Sequence, residues 1–153
     1  SVCNTPHLYN LTARMRPSVS SATVGREGIY ATDESNLTWW QPEDGDEDPK
    51  ITINLSGEFK ISSARVYFRE IGLDYDNGVR PQPVPYVLKV FGKGQWITVV
   101  DNTSPQKEMM IDFRQFETVE CTAVSLELPR GKDLPYAVGV VDLSVFGKHI
   151  TDI

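Results

Sequence analysis

The ten residues Ala31–Trp40, ATDESNLTWW, carry the strongest structural signal in the chain. They combine two acidic residues, several small residues with side-chain oxygens and two adjacent indoles. Further along, Ile51–Leu55 (ITINL) alternates apolar and polar side chains, as a half-buried strand does. A loop rich in oxygen atoms that leads into a strand can hold a hard cation such as calcium, which takes about six to eight oxygen ligands. An Asx/Ser turn followed by two core tryptophans fits equally well, so this stretch leaves both interpretations open.

The composition of the chain is that of one globular domain. It has 153 residues, of which 40% are hydrophobic and 10% aromatic, enough to enclose a core. No apolar run approaches the ~20 residues that a membrane-spanning helix needs. The first residues, SVCNTPHLYN, lack the basic start and apolar stretch of a signal peptide. We therefore expect a mature protein or a domain cut from a longer one.

The charge of the chain limits its partners. A formal net charge of −6 argues against the clustered basic face that binds nucleic acid. It also argues against docking on anionic lipid. We therefore expect neither a nucleic-acid partner nor a membrane partner, whereas neutral ligands and cations remain open.

Short alternating segments recur along the chain, separated by Gly, Pro, Asn and Asp, and no long stretch has the 3.6-residue apolar period of a helix. In Tyr86–Phe91, for example, one face carries Tyr86, Leu88 and Val90. Many short strands with turn signals between them are typical of a β-sandwich or jelly roll. The predicted strands are Ile51–Leu55, Ile61–Phe68, Pro85–Phe91, Trp96–Val100, Met109–Phe113, Ala123–Leu128 and Val138–Phe146.

The two cysteines, Cys3 and Cys121, do not have the spacing of a zinc site. They can form a disulfide bond if the N-terminal segment reaches the strand that holds Cys121. They can equally remain two reduced thiols, and the sequence does not decide between these states.

Two stretches at opposite ends of the chain resemble one known family. ATDESNLTWW, followed by ITINLSGEFKISSARVYF, is similar to the opening of discoidin domains, the coagulation factor V/VIII C-type fold. The closing YAVGVVDLSVFG is similar to the last strand of the same family. The resemblance covers roughly Ser18 to Gly147, and among bacterial members it is strongest to the family 32 carbohydrate-binding modules appended to glycoside hydrolases.

The resemblance implies an all-β fold, a jelly-roll β-sandwich of the galactose-binding-like, discoidin-like kind, with about eight antiparallel strands. Residues 18–153 would form this domain, and residues 1–17 would be an N-terminal segment or linker, with an edge strand as the alternative. One structural calcium (Ca2+) is implied, completed by backbone carbonyls near Tyr30 and Val141. Its side-chain ligands, carried over position by position, would be Asp33, Ser35, Thr38 and Asp142.

The chain departs from the family pattern in the calcium loop and the closing strand. Glu34 stands where many members have glycine, and it can be tolerated only if its backbone avoids a positive φ. Ser35 stands where many have Asp or Asn, and it is a poorer ligand. Asp142 is one methylene shorter than the commoner glutamate, which shortens its reach toward an ion.

Loops at one end of the sandwich carry recognition in this family, and a sugar site needs an aromatic platform with a few planar polar groups. Each candidate also has a purely structural interpretation: Trp39 can be a core residue like Trp40, Tyr75 can pack under its own loop, and Arg80 can pair with an aspartate of that loop. The galactose-type arrangement with a loop histidine is not evident, so the sugar stays open. The predicted ligand-binding residues are Trp39, Arg69, Asp74, Tyr75, Arg80 and Tyr136.

The expected function is therefore a non-catalytic module that binds a glycan, an oligo- or polysaccharide, for a covalently linked catalytic domain of a secreted enzyme. Localisation would be secreted, extracellular or at the cell surface. A structural or protein-binding discoidin-like domain without a sugar ligand is the alternative. No catalytic residue is predicted: His7 and His149 lie near the termini and form no Ser-His-Asp set. The acidic stretch Gln41–Lys50 is interpreted as a solvated loop.

Overall fold

A computed structural model describes residues 8–105, 107–129 and 134–151 of the chain. The described residues are almost entirely strand and loop, with two short 3-10 turns at Gly28–Ala31 and Tyr75–Asn77. Neither these turns nor any other helical segment of the described residues could span a bilayer. The strands are β1 (Tyr9–Asn10), β2 (Ser18–Val19), β3 (Lys50–Ile71), β4 (Tyr86–Gly92), β5 (Gln95–Asn102), β6 (Ile111–Glu127) and β7 (Ala137–His149).

All of the strand pairings are antiparallel, and the strands follow the order β1-β7-β3-β6-β4-β5, with β2 paired to β3 off this path. β3 is 22 residues long, and its pairing shifts register between Asn54 and Phe59 and again between Ile61 and Ser63. Such bulges bend a strand. Because buried side chains from both halves of β3, such as Ile53 and Val66, belong to the same core, the bent sheet encloses its own apolar side.

Several predicted strands are confirmed in position, but two of them are joined into one longer strand. Ile51–Leu55 and Ile61–Phe68 are parts of the single strand β3. The Ser56-Gly57 pair between them reads as a turn, yet Ser56 adopts φ 59 and its backbone N–H bonds to Asn54 Oδ1 inside a bulge. The turn signal is therefore absorbed without ending the strand.

The core is built from the faces that the alternation predicts. In β4, Tyr86, Leu88 and Val90 are buried while the residues between them are partly exposed. β7 is different, because every residue from Val138 to Val145 is buried. The chain before β3 covers the second side of β7, where Thr12 Oγ1 donates to the carbonyl of Leu143 at 2.7 Å. A polar residue of β7 must therefore find its hydrogen-bond partner inside the protein.

The described part of the N-terminal segment begins at Leu8, and it contacts the sheet from Tyr9 onward. Tyr9 and Asn10 pair with Gly147 and Phe146 at the free edge of β7. This strand matches the edge-strand alternative for the segment before Ser18, while the domain boundary itself remains a prediction. Cys121 is buried, and burial raises the pKa of its thiol to about 12. Whether it pairs with Cys3, which the sequence left open, lies outside the described residues.

Candidate functional site

A groove of about 300 Å³ opens between three segments that are distant in sequence. One wall is the acidic loop after Trp40, which contributes the carboxylates of Glu43, Asp44 and Asp46. The other wall and the floor are apolar, and they come from β3–β4 and β6–β7 connections. The apolar lining includes Val84, Leu128, Leu134, Tyr136 and Val138.

The acidic wall of the groove is held in place by hydrogen bonds. Asp46 Oδ2 accepts from the hydroxyls of Ser20 at 2.6 Å and Ser21 at 2.7 Å, and Oδ1 accepts from the Asp48 N–H at 3.2 Å. Burial acts to raise the pKa of Asp46, but these bonds outweigh it and lower the pKa. The sequence-based interpretation of Gln41–Lys50 as a merely solvated loop missed this anchoring, which depends on serines more than 20 residues upstream.

Tyr136, a predicted ligand residue, lies in the groove but is 6% exposed. Its hydroxyl accepts from the Gln82 N–H at 2.8 Å and donates to the Gln82 carbonyl at 3.0 Å. Burial raises its pKa well above the ordinary value. Tyr136 therefore joins the floor of the groove to the long loop between β3 and β4, residues 72–85.

The other candidates in the long loop form a separate cluster outside the lining of the groove. Tyr75 is 56% exposed, and the Arg80 guanidinium carbon lies 5.8 Å from its ring centroid. Asp74 caps its own 3-10 turn, accepting from the Asn77 side-chain amide at 2.6 Å and from the Asn77 N–H at 3.3 Å. Tyr75 and Arg80 are thus presented to solvent, whereas Asp74 has a local structural task.

The two indoles have different environments. Trp40 is fully buried and donates to the Ser21 carbonyl at 2.9 Å, which confirms its place in the core. Trp39 is half-buried, and its ring is covered by this chain: the guanidinium carbon of Arg26 lies 3.5 Å from the ring centroid and that of Arg69 lies 4.7 Å away. Its ring edge also occupies the space beside Gly139. These contacts limit the ring surface that a sugar could stack on.

Three of the four predicted calcium ligands lie in one loop, and Asp33 forms hydrogen bonds with the other two. Asp33 Oδ1 accepts from the Ser35 N–H at 3.1 Å, and Oδ2 accepts from Thr38 Oγ1 at 2.5 Å. The Ser35 hydroxyl in turn accepts from the Leu37 N–H at 3.1 Å. These bonds close the loop as an Asx turn, the alternative that the sequence also allowed.

The fourth predicted ligand, Asp142, carries a different set of partners. Its Oδ2 accepts from Arg65 Nη2 at 3.0 Å and from Ser144 Oγ at 2.6 Å. The loop and the closing strand do approach each other, since Glu34 and Asp142 line one cavity of about 390 Å³. A guanidinium at Asp142 fits poorly with a divalent cation at the same carboxylate. Among residues 8–105, 107–129 and 134–151, no three acidic, histidine or cysteine side chains are grouped to hold a metal. The calcium ion itself remains a prediction.

The expectation that Glu34 avoids a positive φ is wrong. Its φ is 63°, in the left-handed region where glycine is usual. The Asp33 bonds to both sides of the loop fix the turn, and Glu34 must take the conformation that the turn requires. Its side chain forms an exposed ion pair with Arg14 at 3.1 Å, and Arg14 also has a positive φ, of 60°.

Comparison with known proteins identifies the fold. No family model and no curated protein matches the chain. Chitosan-binding module 1 from a chitosanase/glucanase of Paenibacillus sp. IK-5 is 21% identical with a TM-score of 0.73, covering 91% of this chain and 99% of that one. Module 2 of that enzyme, in complex with chitotriose, is 22% identical with a TM-score of 0.72, covering 89% and 98%. The family 32 module of C. perfringens NanJ, in complex with galactose, is 16% identical with a TM-score of 0.72, covering 92% and 99%.

At these identities the likeness establishes the fold alone. The chain has the all-β jelly-roll fold of the family 32 carbohydrate-binding modules, so the predicted fold class is confirmed.

Proposed function

We propose that this chain is a non-catalytic carbohydrate-binding module that targets a larger, secreted glycan-active enzyme to its substrate. The groove lined by Tyr136 and the acidic loop is the observation that carries the proposal. It combines an apolar floor with carboxylate acceptors at one wall, the combination that a sugar needs for its C–H faces and its hydroxyls. The structural neighbours, which include modules in complex with chitotriose and with galactose, support it.

The charge of the groove favours neutral or cationic sugars over anionic ones. Glu43, Asp44 and Asp46 are part of the lining, and the described residues that line the groove include no lysine, arginine or histidine. Uronic acids and sulfated sugars would be repelled by these carboxylates, whereas a protonated amino group would be attracted. Two of the structural neighbours are chitosan-binding modules, which agrees with an amino-sugar ligand.

The proposal assigns no hydrolysis to the groove. A glycosidase needs a pair of carboxyl groups, one of which is a general acid with a raised pKa. Asp46 has the opposite shift, a lowered pKa, and both of its oxygens accept hydrogen bonds from the protein. The module would act by raising the local concentration of its enzyme at the polymer.

Titration against three trisaccharides tests the proposal: a glucosamine trimer, its fully N-acetylated form and a galacturonic acid trimer. We expect weak binding, on the order of 0.1–1 mM, tightest for the amine and absent for the acid. The double substitution Glu43→Gln/Asp44→Asn should weaken glucosamine binding roughly 3–10-fold. Asp76→Asn, which removes an exposed carboxylate from the separate long loop, is the matched control and should change nothing.

Failure of all three sugars to bind at millimolar concentration would count against the proposal. It would favour the structural or protein-binding alternative, for which the structure offers one specific observation. Ile111 and Phe113 on the outer side of β6 are 47% and 53% exposed, and Phe113 lies 6.3 Å from the ring of Phe146 on β7. An exposed apolar row of this kind is a common contact between proteins.

A further inference from the structure

The closing strand contains an acid whose charge is compensated from within the chain. The Asp142 side chain is 12% exposed, in the strand that is buried on both sides. An ionised carboxylate in such a place needs a counter-charge and hydrogen-bond donors. Arg65 supplies both, because its Nη2 lies 3.0 Å and its Nε 3.3 Å from Asp142 Oδ2.

Both the strand register and side-chain contacts place Arg65 beside Asp142. Tyr67 is paired with Asp142 and Arg65 with Ser144 in the register of β3 and β7, so Arg65 lies diagonally across from the acid. The guanidinium also donates to Ser144 Oγ at 3.3 Å and lies 5.6 Å from the ring centroid of Phe146. Register, hydroxyl and ring together hold the cation at this carboxylate.

We propose that Arg65 takes the place of the structural calcium that the family resemblance implies, so that this domain holds its closing strand without a metal. A divalent ion at Asp142 would lie within a few ångströms of the Arg65 guanidinium and would be repelled by it. The other acidic groups nearby have partners of their own. Both oxygens of Asp33 close its loop, and Glu34 is paired with Arg14.

Thermal melting of the wild-type chain in excess EGTA and in millimolar calcium chloride tests this directly. We expect the two melting temperatures to agree within about 1 °C, since nothing that binds the folded state is removed. A clear drop in EGTA that calcium restores would overturn the proposal, as would saturable calcium binding at micromolar concentration in calorimetry. Either result would leave the proposed sugar site untouched, because its titration is read independently.

Substitutions of Arg65 provide the second test. Arg65→Met keeps the apolar stem but strands the Asp142 carboxylate, so the melting temperature should fall by ~5 °C or more. Adding Asp142→Asn in the same chain removes the stranded charge and should recover much of that loss. Arg14→Met, which breaks the exposed pair with Glu34, is the matched control and should cost about 2 °C or less. If Arg65→Met costs no more than Arg14→Met, the proposal fails. Arg65→Lys, which keeps the charge, gives the comparison if the methionine variant does not fold.

Discussion

The hydroxyl of Tyr136 forms both an accepted and a donated hydrogen bond with the backbone of a single residue, Gln82, 54 positions earlier in the chain. This pair of bonds ties the segment before β7 to the long loop before β4. Because Tyr136 also lines the groove, the geometry of the groove floor depends on this contact.

Tyr136→Phe should therefore loosen the long loop. The change removes both bonds to Gln82, at a cost of about 0.5–1.5 kcal/mol per bond in the free energy of unfolding, because Gln82 is exposed and water can replace the hydroxyl. Hydrogen exchange should become faster in the loop that contains Gln82 and stay slow in the core of β4. Tyr75→Phe removes an exposed hydroxyl and is the control. Equal exchange in both variants would show that the bonds do not hold the loop.

Glu70 and Asp46 should respond to pH in opposite directions. Burial and then the nearby carboxylate of Glu108 raise the pKa of Glu70, whereas the nearby Tyr136 hydroxyl acts to lower it. A raised folded-state pKa means that Glu70 favours folding below its ordinary pKa of about 4.5, and that this stability is lost as pH rises through the folded value. Glu70→Gln should therefore raise the melting temperature at neutral pH.

For Asp46 the sign is reversed. Its pKa is lowered, so its contribution is present above the ordinary value of 3.8 and is lost as the pH falls through the folded value. Asp46→Asn should lower the melting temperature at neutral pH and have less effect in acid. Melting curves of both variants between about pH 3 and pH 8 would cover both transitions. If the two substitutions changed the melting temperature in the same direction at neutral pH, the pKa shifts given for these two residues would be contradicted.

Trp39→Ala should affect stability more than sugar affinity. Arg26 and Arg69 lie over the indole and Gly139 meets its edge, so the truncation removes packing within the protein. The expected cost is roughly 2–4 kcal/mol. Tyr75→Ala, at an exposed ring, should leave the melting temperature almost unchanged. If Trp39→Ala instead kept its stability but lost sugar binding, the sugar would bind at the indole of Trp39.

Gly139→Ala should be strongly destabilising. A Cβ at this position would meet the indole ring of Trp39 and would lie 2.9 Å from the carbonyl oxygen of Trp40. The closing strand and the tryptophan pair would have to separate, at a cost on the order of 1–3 kcal/mol. Gly45→Ala, where a Cβ would have no neighbour within 4 Å, is the control. Chemical denaturation of the two variants compares them, and equal midpoints would mean that β7 can yield at this position.

Much of the fold could be predicted because alternation is a local property. The inward faces of β4 and of the end of β6 follow from the sequence alone, and both are buried as expected. Strand lengths could not be predicted, since Ser56 reads as a turn residue and instead forms a bulge within β3. The conformation of Glu34 was missed for a related reason: the loop geometry imposes a positive φ on whichever residue stands there.

The sequence predicted one side chain of the groove. Tyr136 lies in its lining, whereas Tyr75, Asp74 and Arg80 lie outside it, so that a role for these three in sugar binding stays a prediction, and the acidic wall was interpreted as solvated. The serines that anchor Asp46 are 25 and 26 residues upstream, so no local pattern connects them with the loop. A possible signal was the density of carboxylates beside prolines in QPEDGDEDPK.

The sequence by itself determined that the chain is an all-β domain of this fold and which side of each clear strand faces the core, because side-chain direction in a strand alternates with every residue. Only the tertiary structure decided which charge meets Asp142. Its partner, Arg65, is 77 residues away, and whether the two side chains meet depends on the register between β3 and β7. A shift of one residue would send Arg65 to the opposite face of the sheet and leave the acid without its counter-charge.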